Sequence, residues 1–184
     1  KKDLITELCA VLTFSAIQNN DKIGVIFFSD KIEKFIPPKK GKSHILRIIR
    51  ELINMEPQQT GTNIELALKY LTNIIKKKSV CFLISDFYDQ HSFSDAMKIA
   101  NRKHDLVALR INDQHENILP DVGLIKLKDN ETGKTMWVDT SSKHFQTQQK
   151  ANHLKFEAEL KNTFNKSGVD FATIFTHEGY IKPL

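Results

Sequence analysis

The segment Val80–Asp89, VCFLISDFYD, decides the fold of this chain. An apolar run from Val80 to Ile84 reaches Ser85 and Asp86, after which the chain becomes polar. A short apolar run bounded by polar residues is typical of a strand buried in the interior of a sheet. The segment therefore predicts a core strand that ends on a carboxylate. A loop position explains a polar residue there, but does not explain an acid.

Outward from this strand, apolar spacing alternates between helical and extended periods. The predicted elements are a helix over 3–18, strands over 23–28 and from Ile32 to Pro37-Pro38, helices over 44–53 and from Ile64, the strand ending at Ser85, a helix over 92–103 and a strand over 105–111. Strands that alternate with helices of this length are typical of an α/β domain with a mostly parallel sheet.

The C-terminal part departs from this alternation. Two strands around residues 129–133 predict a β-hairpin with a longer loop. A helix over about 142–166 follows and stops at Ser167-Gly168, where glycine suits the C-terminal cap. The last strand is VDFATIFT, residues 169–176. No repeat or linker divides the chain, so 1–184 is predicted to be one domain.

Composition argues against several classes of protein. The net charge of +5 is a mild excess, and no aromatic residues interleave with the lysine clusters, so nucleic-acid binding is not favoured. No apolar run approaches the 18 residues or so that cross a bilayer. Cys9 and Cys81 lie in apolar segments without zinc-ligand spacing, which favours reduced thiols and a cytoplasmic location.

Polar side chains are expected to converge at one edge of the sheet. Ligands bind outside the carboxyl ends of parallel strands, and Asp86 lies at such an end. The loop Thr60–Asn63 precedes a helix whose N-terminus is expected on the same side. One carboxylate and one or two hydroxyl groups would suit Mg²⁺ or Mn²⁺.

Plainer interpretations of the same residues stay open. Thr62-Asn63-Ile64-Glu65 also reads as a capping box, in which Thr62 bonds the helix backbone and Glu65 reaches back. Asp86 alone is more often a loop cap than a metal ligand, and a turn explains Asp30 without any ligand.

Motifs of common enzyme classes are missing. The sequence has no G-x-G-x-x-G, no G-x-x-x-x-G-K-[ST] and no G-x-S-x-G. Its scattered histidines are each expected at the surface: His44, His91, His104, His115, His144, His153 and His177.

Four stretches together resemble the DUF58 family of von Willebrand factor A-like proteins. They are IGVIFFSDKIEKFIPPKKG, TGTNIELAL, VCFLISDF and ILPDVGLIKLKDNETGKTMWVDT, and the C-terminal VDFATIFTHEGYIKPL looks like that family too. The resemblance implies a three-layer, Rossmann-like von Willebrand factor A-type fold with an antiparallel edge strand and an added C-terminal β-hairpin.

The resemblance also implies a metal-ion-dependent adhesion site. Thr62 matches its threonine and Asp86 its final aspartate, and Asp30 is a weak outer candidate. No Asp-x-Ser-x-Ser occurs here. The first central strand that carries this pattern is expected upstream of Lys1, so the domain is expected to be N-terminally truncated, with two neighbouring strands left unpaired.

The expected function is that of a binding module rather than an enzyme. A divalent metal would bind an acidic side chain of a partner protein, and the resemblance implies a MoxR-type AAA+ ATPase as a partner. Two alternatives stay open: a magnesium-dependent hydrolase or phosphotransferase using Asp86, and a metal-free scaffold. Trp137 and Tyr180 fit either a partner surface or, preferably, packing of the hairpin and tail.

Overall fold

The computed structural model describes residues 1–56, 61–113, 120–128 and 135–176. Its helices are α1 (Lys2–Gln18), α2 (Lys42–Asn54), α3 (Ile64–Ile74), α4 (Ser94–Lys103) and α5 (Lys143–Ser167). Its strands are β1 (Ile23–Phe28), β2 (Ile32–Lys39), β3 (Val80–Ser85), β4 (Asp105–Asn112), β5 (Leu124–Lys128), β6 (Thr135–Asp139) and β7 (Asp170–Phe175). The predicted alternation of strands and helices is therefore confirmed.

The strands form three sheets. β3, β4 and β7 make a parallel sheet with β4 in the centre, so Arg110 lies between Ser85 and Thr173. β1 and β2 form an antiparallel pair, and β5 and β6 form the predicted hairpin. In the described part of the chain β1 and β3 are not paired with each other, as expected for two neighbouring strands, so the antiparallel pair and the parallel sheet are separate.

Helices cover both faces of the parallel sheet. Leu106 and Ala108 of β4 belong to a core shared with α3, α4 and α5. The alternating residues Leu109 and Ile111 pack with Leu8 of α1 on the opposite face, as the two-residue period of a strand requires. The parallel sheet thus forms the middle layer of a mixed α/β structure.

Helix α1 also reaches the antiparallel pair. Its Cys9 packs against the cluster formed by Ile36 of β2 with Ile48 and Leu52 of α2. On the other face, Phe28 at the end of β1 packs against the core around α3 and β3. The two sheets are therefore held together by helices and side chains rather than by a strand ladder.

Several local predictions need correction. β2 runs through Pro37-Pro38 to Lys39 instead of ending there, since proline is tolerated on an edge strand whose N–H groups need no ladder partner. His104 is buried, with 1 % of its surface exposed, because it lies where α4 turns into β4. Trp137 is 65 % exposed, so it does not pack into the hairpin. Tyr180 lies outside the described residues.

Gly168 confirms the predicted end of the long helix. It closes α5 in the left-handed conformation, with φ of 64°, and its N–H group donates to the carbonyl of Asn165. None of the helices in the described residues is both long and apolar enough to span a membrane.

Candidate functional site

Three loops meet near the carboxyl ends of β1 and β3. They are residues 29–31 after β1, residues 61–63 before α3, and residues 86–91 after β3. The backbone N–H of Asn63 donates to the carbonyl of Ser29 at 2.9 Å. The backbone N–H of Ile64 donates to Asp89 Oδ2 at 2.7 Å. The predicted convergence of these loops is thus held by direct hydrogen bonds.

The loop after β1 is organised by Ser29, which is buried. Its hydroxyl group donates to Glu33 Oε1 at 2.6 Å and lies 3.2 Å from Asp30 Oδ1. Gly61 packs closely here, because a Cβ atom at that position would lie 3.3 Å from the Cβ of Asp30. Asp30 therefore belongs to the edge of the candidate site, where it takes part in a turn.

The N-terminus of α3 is capped differently from the prediction. Asn63 is the N-cap, and its Oδ1 accepts the N–H of Leu66 at 2.8 Å. Glu65 pairs with Lys69 one turn further along, at 2.7 Å, and does not close a capping box. The predicted box is wrong because the helix begins one residue later, which moves the capping role from Thr62 to Asn63.

This shift leaves the hydroxyl group of Thr62 uncommitted. Thr62 is half-buried in the loop between Gly61 and Asn63. Among the described residues it has no hydrogen-bond partner, whereas both neighbouring loops are fixed by backbone bonds. Its oxygen is therefore available to a ligand at this edge of the sheet.

Asp86 follows the last residue of β3, as predicted. Its Oδ1 accepts the N–H of Tyr88 at 3.3 Å, which is the loop-capping contact that the sequence also allowed. Its Oδ2 lies 3.3 Å from Nζ of Lys1, and its side chain is 34 % exposed. One carboxylate oxygen thus serves the loop while the other already faces a positive charge.

The backbone after Asp86 is held in an unusual conformation. Phe87 has φ of 62°, in a region that bulky residues rarely enter, at a cost of roughly 1–2 kcal/mol. Its buried ring packs edge-on against Phe164 with centroids 5.0 Å apart. This core contact fixes the turn, and hence the position of Asp86.

Asp89 is a site residue that the sequence analysis missed. Its side chain is fully buried, and besides Ile64 it accepts the backbone N–H of His91 at 2.8 Å and contacts His91 Nδ1 at 2.9 Å. A carboxylate at a helix N-terminus is favoured by the helix dipole. The sequence does show a second acid three residues after Asp86. Its partner in α3, Ile64, is 25 positions away along the chain, so the sequence does not indicate the hydrogen bond between them.

The residues present fit a hard divalent cation in donor type. Thr62 and Asp86 offer hydroxyl and carboxylate oxygens, and Mg²⁺ keeps several waters while using one or two protein carboxylates. No group of three or more His, Cys, Asp or Glu side chains converges for metal binding among the described residues. A cation at Asp86 would displace the ammonium group of Lys1 and keep much of its water.

Thiol chemistry at this site is not supported. Burial raises the pKa of Cys9 to about 11, and burial and then Asp105 raise the pKa of Cys81 to about 11. Both cysteines are free thiols, as predicted. They are protonated at neutral pH and are therefore weak nucleophiles and weak metal ligands.

The family of the chain follows from comparison with known proteins. The model of the family described as "Protein of unknown function DUF58" matches residues 1–158, which include all three loops of the site. The chain belongs to the DUF58 family. The membership of the DUF58 family that the sequence predicted is therefore confirmed.

Relatives of this DUF58 protein occur in mycobacteria. It is 23 % identical over 135 residues to the uncharacterized protein Rv1480 of Mycobacterium tuberculosis, covering 72 % of this chain and 43 % of that protein. It is 22 % identical over 150 residues to an uncharacterized protein of Mycobacterium avium, covering 79 % of this chain and 87 % of that one. The chain thus spans less than half the length of the Mycobacterium tuberculosis relative.

Two solved structures share the fold. The conserved hypothetical protein BatB from Bacteroides thetaiotaomicron aligns with a TM-score of 0.53 and 12 % identity, over 97 % of this chain and 82 % of that one. An aerotolerance-related membrane protein from Bacteroides fragilis aligns with a TM-score of 0.59 and 13 % identity, over 94 % and 80 %. At these identities the likeness concerns the fold alone.

Proposed function

We propose that this DUF58 protein is a divalent-metal-dependent protein-binding module with a von Willebrand factor A-type fold. The observation that carries the proposal is the uncommitted hydroxyl group of Thr62, which lies next to Asn63 and Ile64. The N–H of Asn63 bonds to the loop of Asp30, and the N–H of Ile64 bonds to the loop of Asp86. Thr62 would bind Mg²⁺ or Mn²⁺ directly or through water, and Asp86 would do so with the oxygen that faces Lys1.

The proposed ligand of the metal is an acidic side chain of a partner protein. A carboxylate that replaces one metal-bound water bonds directly to the cation, so binding would depend on both the metal and the acid. A MoxR-type AAA+ ATPase is the proposed partner, for which this module would act as an adaptor or co-chaperone. This choice of partner rests on the family resemblance.

Calorimetric titration with Mg²⁺ and Mn²⁺ tests the metal site. We expect saturable binding to the chain, loss of binding in Asp86→Asn, and weaker binding in Thr62→Val. Asp95→Asn is the matched control, because the Asp95 side chain is 92 % exposed on α4. Absence of saturable binding in the unsubstituted chain would remove the metal-dependent mechanism.

The charge of Lys1 gives a second test of the same site. Lys1→Gln removes the cation beside Asp86 Oδ2 and should tighten metal binding, since the metal no longer displaces an ammonium group. Equal metal affinity in Lys1→Gln and the unsubstituted chain would show that the metal does not use this oxygen.

Partner binding is tested with a purified MoxR-type ATPase in Mg²⁺ and in EDTA. We expect a complex in Mg²⁺ that EDTA and Asp86→Asn both abolish. Unchanged binding in EDTA would favour the metal-free scaffold. The hydrogen bond from the N–H of Tyr88 to Asp86 Oδ1 supports this alternative, because it gives Asp86 a loop-capping role without a metal.

The hydrolase or phosphotransferase alternative has one specific observation in its favour. His91 is exposed and its Nδ1 is held 2.9 Å from the buried carboxylate of Asp89, an arrangement that suits a general base. Magnesium-dependent turnover of a simple phosphomonoester, lost in both His91→Ala and Asp86→Asn, would replace the binding module by this enzyme.

A further inference from the structure

A buried arginine in the centre of the parallel sheet lacks the partners that its charge requires. Arg110 of β4 is 2 % exposed. Its Nη1 is paired with Glu157 of α5, and its Cζ lies 5.3 Å from the ring centroid of Phe156. Its Nε and Nη2 are buried and have no hydrogen-bond partner among the described residues.

The two nitrogens without partners share one edge of the guanidinium group. On that edge the Nε–H and one Nη2–H bond point the same way, as a fork that matches the two oxygens of a carboxylate. Buried charged donors normally have hydrogen-bond acceptors, because a buried donor without an acceptor destabilises the folded state and packing does not offset that cost. The edge of Arg110 is thus built for an anion that the described residues do not supply.

A cavity of about 300 Å³ adjoins this arginine. Thr173 of β7, the register neighbour of Arg110, lines it from the sheet side, and one face of α5 lines it from above. Its remaining lining is largely apolar: Leu154, Ala158, Leu160, Phe164 and Phe171. The volume is at the lower end of the range for small-molecule sites, about 300–1,000 Å³.

The charges around the cavity favour a monoanion. Arg110 and Lys161 contribute two positive charges and Glu157 one negative charge, which leaves one positive charge uncompensated. A single carboxylate would balance it, whereas a phosphate dianion would overcompensate. Leu154 and Lys161 are the exposed side chains of the lining. Because Nε and Nη2 of Arg110 are covered, a ligand reaches them only after side chains of the lining shift.

We propose that the cavity between α5 and the β4–β7 pair binds a small monocarboxylate with an apolar chain. The carboxylate pairs with the Nε–Nη2 edge of Arg110, and the chain lies against Leu160, Phe164 and Phe171. Lys161, which also lines the cavity, adds a second positive charge for the head group. The site uses none of the residues assigned to the proposed metal site, so the two proposals stand or fall separately.

Titration of the chain with sodium octanoate tests this site. The readout is the Nε–H resonance of Arg110 in ¹H–¹⁵N correlation spectra, with that of the exposed Arg102 as the internal reference. We expect a saturable shift of the Arg110 resonance and none of the Arg102 resonance. Octan-1-ol controls for the apolar chain alone, and inorganic phosphate for an anion alone.

Variants separate binding from folding. Arg110→Gln should weaken octanoate binding about tenfold or more, because it removes a charge-assisted hydrogen-bonded pair. Arg102→Gln makes the same charge change on the surface and should leave binding unchanged. If Arg110→Gln does not fold, Lys161→Gln serves instead. It changes an exposed residue and should weaken binding about two- to fivefold.

Three results would overturn the proposal. They are no saturable shift of the Arg110 resonance with octanoate, an equal response to octan-1-ol, and a stronger response to phosphate than to octanoate. The first result would mean that Arg110 only forms a structural ion pair. The second would mean that the cavity is a general apolar pocket, and the third that it is a phosphate site.

Discussion

Asp89→Ala is predicted to be the most informative single substitution at the candidate site. The buried carboxylate of Asp89 accepts the N–H of Ile64 at 2.7 Å, the N–H of His91 at 2.8 Å and contacts His91 Nδ1 at 2.9 Å. The groups of His91 are exposed and can bond to water instead. The N–H of Ile64, the first residue of α3, would be left buried without an acceptor.

The size of the effect follows from that one orphaned donor. A hydrogen bond to a charged group contributes on the order of 1.5–3 kcal/mol, and loss of a cap costs about 0.5–2 kcal/mol. We therefore expect Asp89→Ala to lower the free energy of unfolding by roughly 2–3 kcal/mol. For a chain of this length that corresponds to a decrease in Tm of about 4–12 °C.

Urea titration followed by far-UV circular dichroism measures this change. Asp89→Asn keeps an oxygen acceptor but loses the charge, so its stability should fall between those of the parent and Asp89→Ala. Asp95→Ala is the control, because that aspartate lies in the first turn of α4 with its side chain 92 % exposed. If Asp89→Ala and Asp95→Ala had equal midpoints and slopes, the bond from Asp89 to α3 would not stabilise the loop.

Three further predictions concern other parts of the fold. In urea titration, Asn63→Ala should lower the free energy of unfolding by about 1 kcal/mol and Thr62→Ala by much less, since Asn63 is the cap. The reverse order would support the capping box with Thr62 as its cap. Gly24→Ala should cost about 1–3 kcal/mol, because its Cβ would lie 2.8 Å from the carbonyl oxygen of Ile36 and 2.9 Å from the backbone nitrogen of Pro38; a neutral result would show that β2 shifts freely. Burial, and then Lys103, lowers the pKa of His104 in the folded state, so below its unfolded pKa of about 6.5 the unfolded state binds the proton more readily. The free energy of unfolding should therefore decrease as the pH is lowered from 7 toward the folded pKa. His104→Leu should weaken this pH dependence in urea titrations across the same range. An unchanged pH dependence in His104→Leu would refute the prediction.

Elements with strong local patterns were predictable from the sequence. The apolar run of β4 and the helical spacing from Ile64 onward predict both the structure and its burial. The run of β3 predicts a strand correctly, but the predicted core position is wrong: β3 lies at the edge of its sheet, with Val80 61 % and Phe82 42 % exposed. Gly168 predicts the end of α5 because glycine adopts the left-handed conformation of a helix cap without steric cost. The positions of Thr62 and Asp86 beside strand and helix ends followed from the same elements.

The candidate site was only partly predictable. The sequence could not distinguish Thr62 from Asn63 as the cap, because both are good capping residues and the choice depends on where the loop meets Ser29 and Asp89. It also could not reveal Asp89 as the acceptor for α3, since that hydrogen bond joins residues far apart along the chain.

The sequence by itself determined the α/β class, the order of the elements and the carboxylate at the end of β3. The tertiary structure alone decided that β3 lies at the edge of its sheet, that Asn63 rather than Thr62 caps α3, and that Arg110 is buried beside a cavity. The physical reason is range. Helical and extended periods are set by neighbours within a few residues, whereas strand pairing, burial of a charge and the acceptor for an orphaned N–H group depend on residues that meet only when the chain has folded.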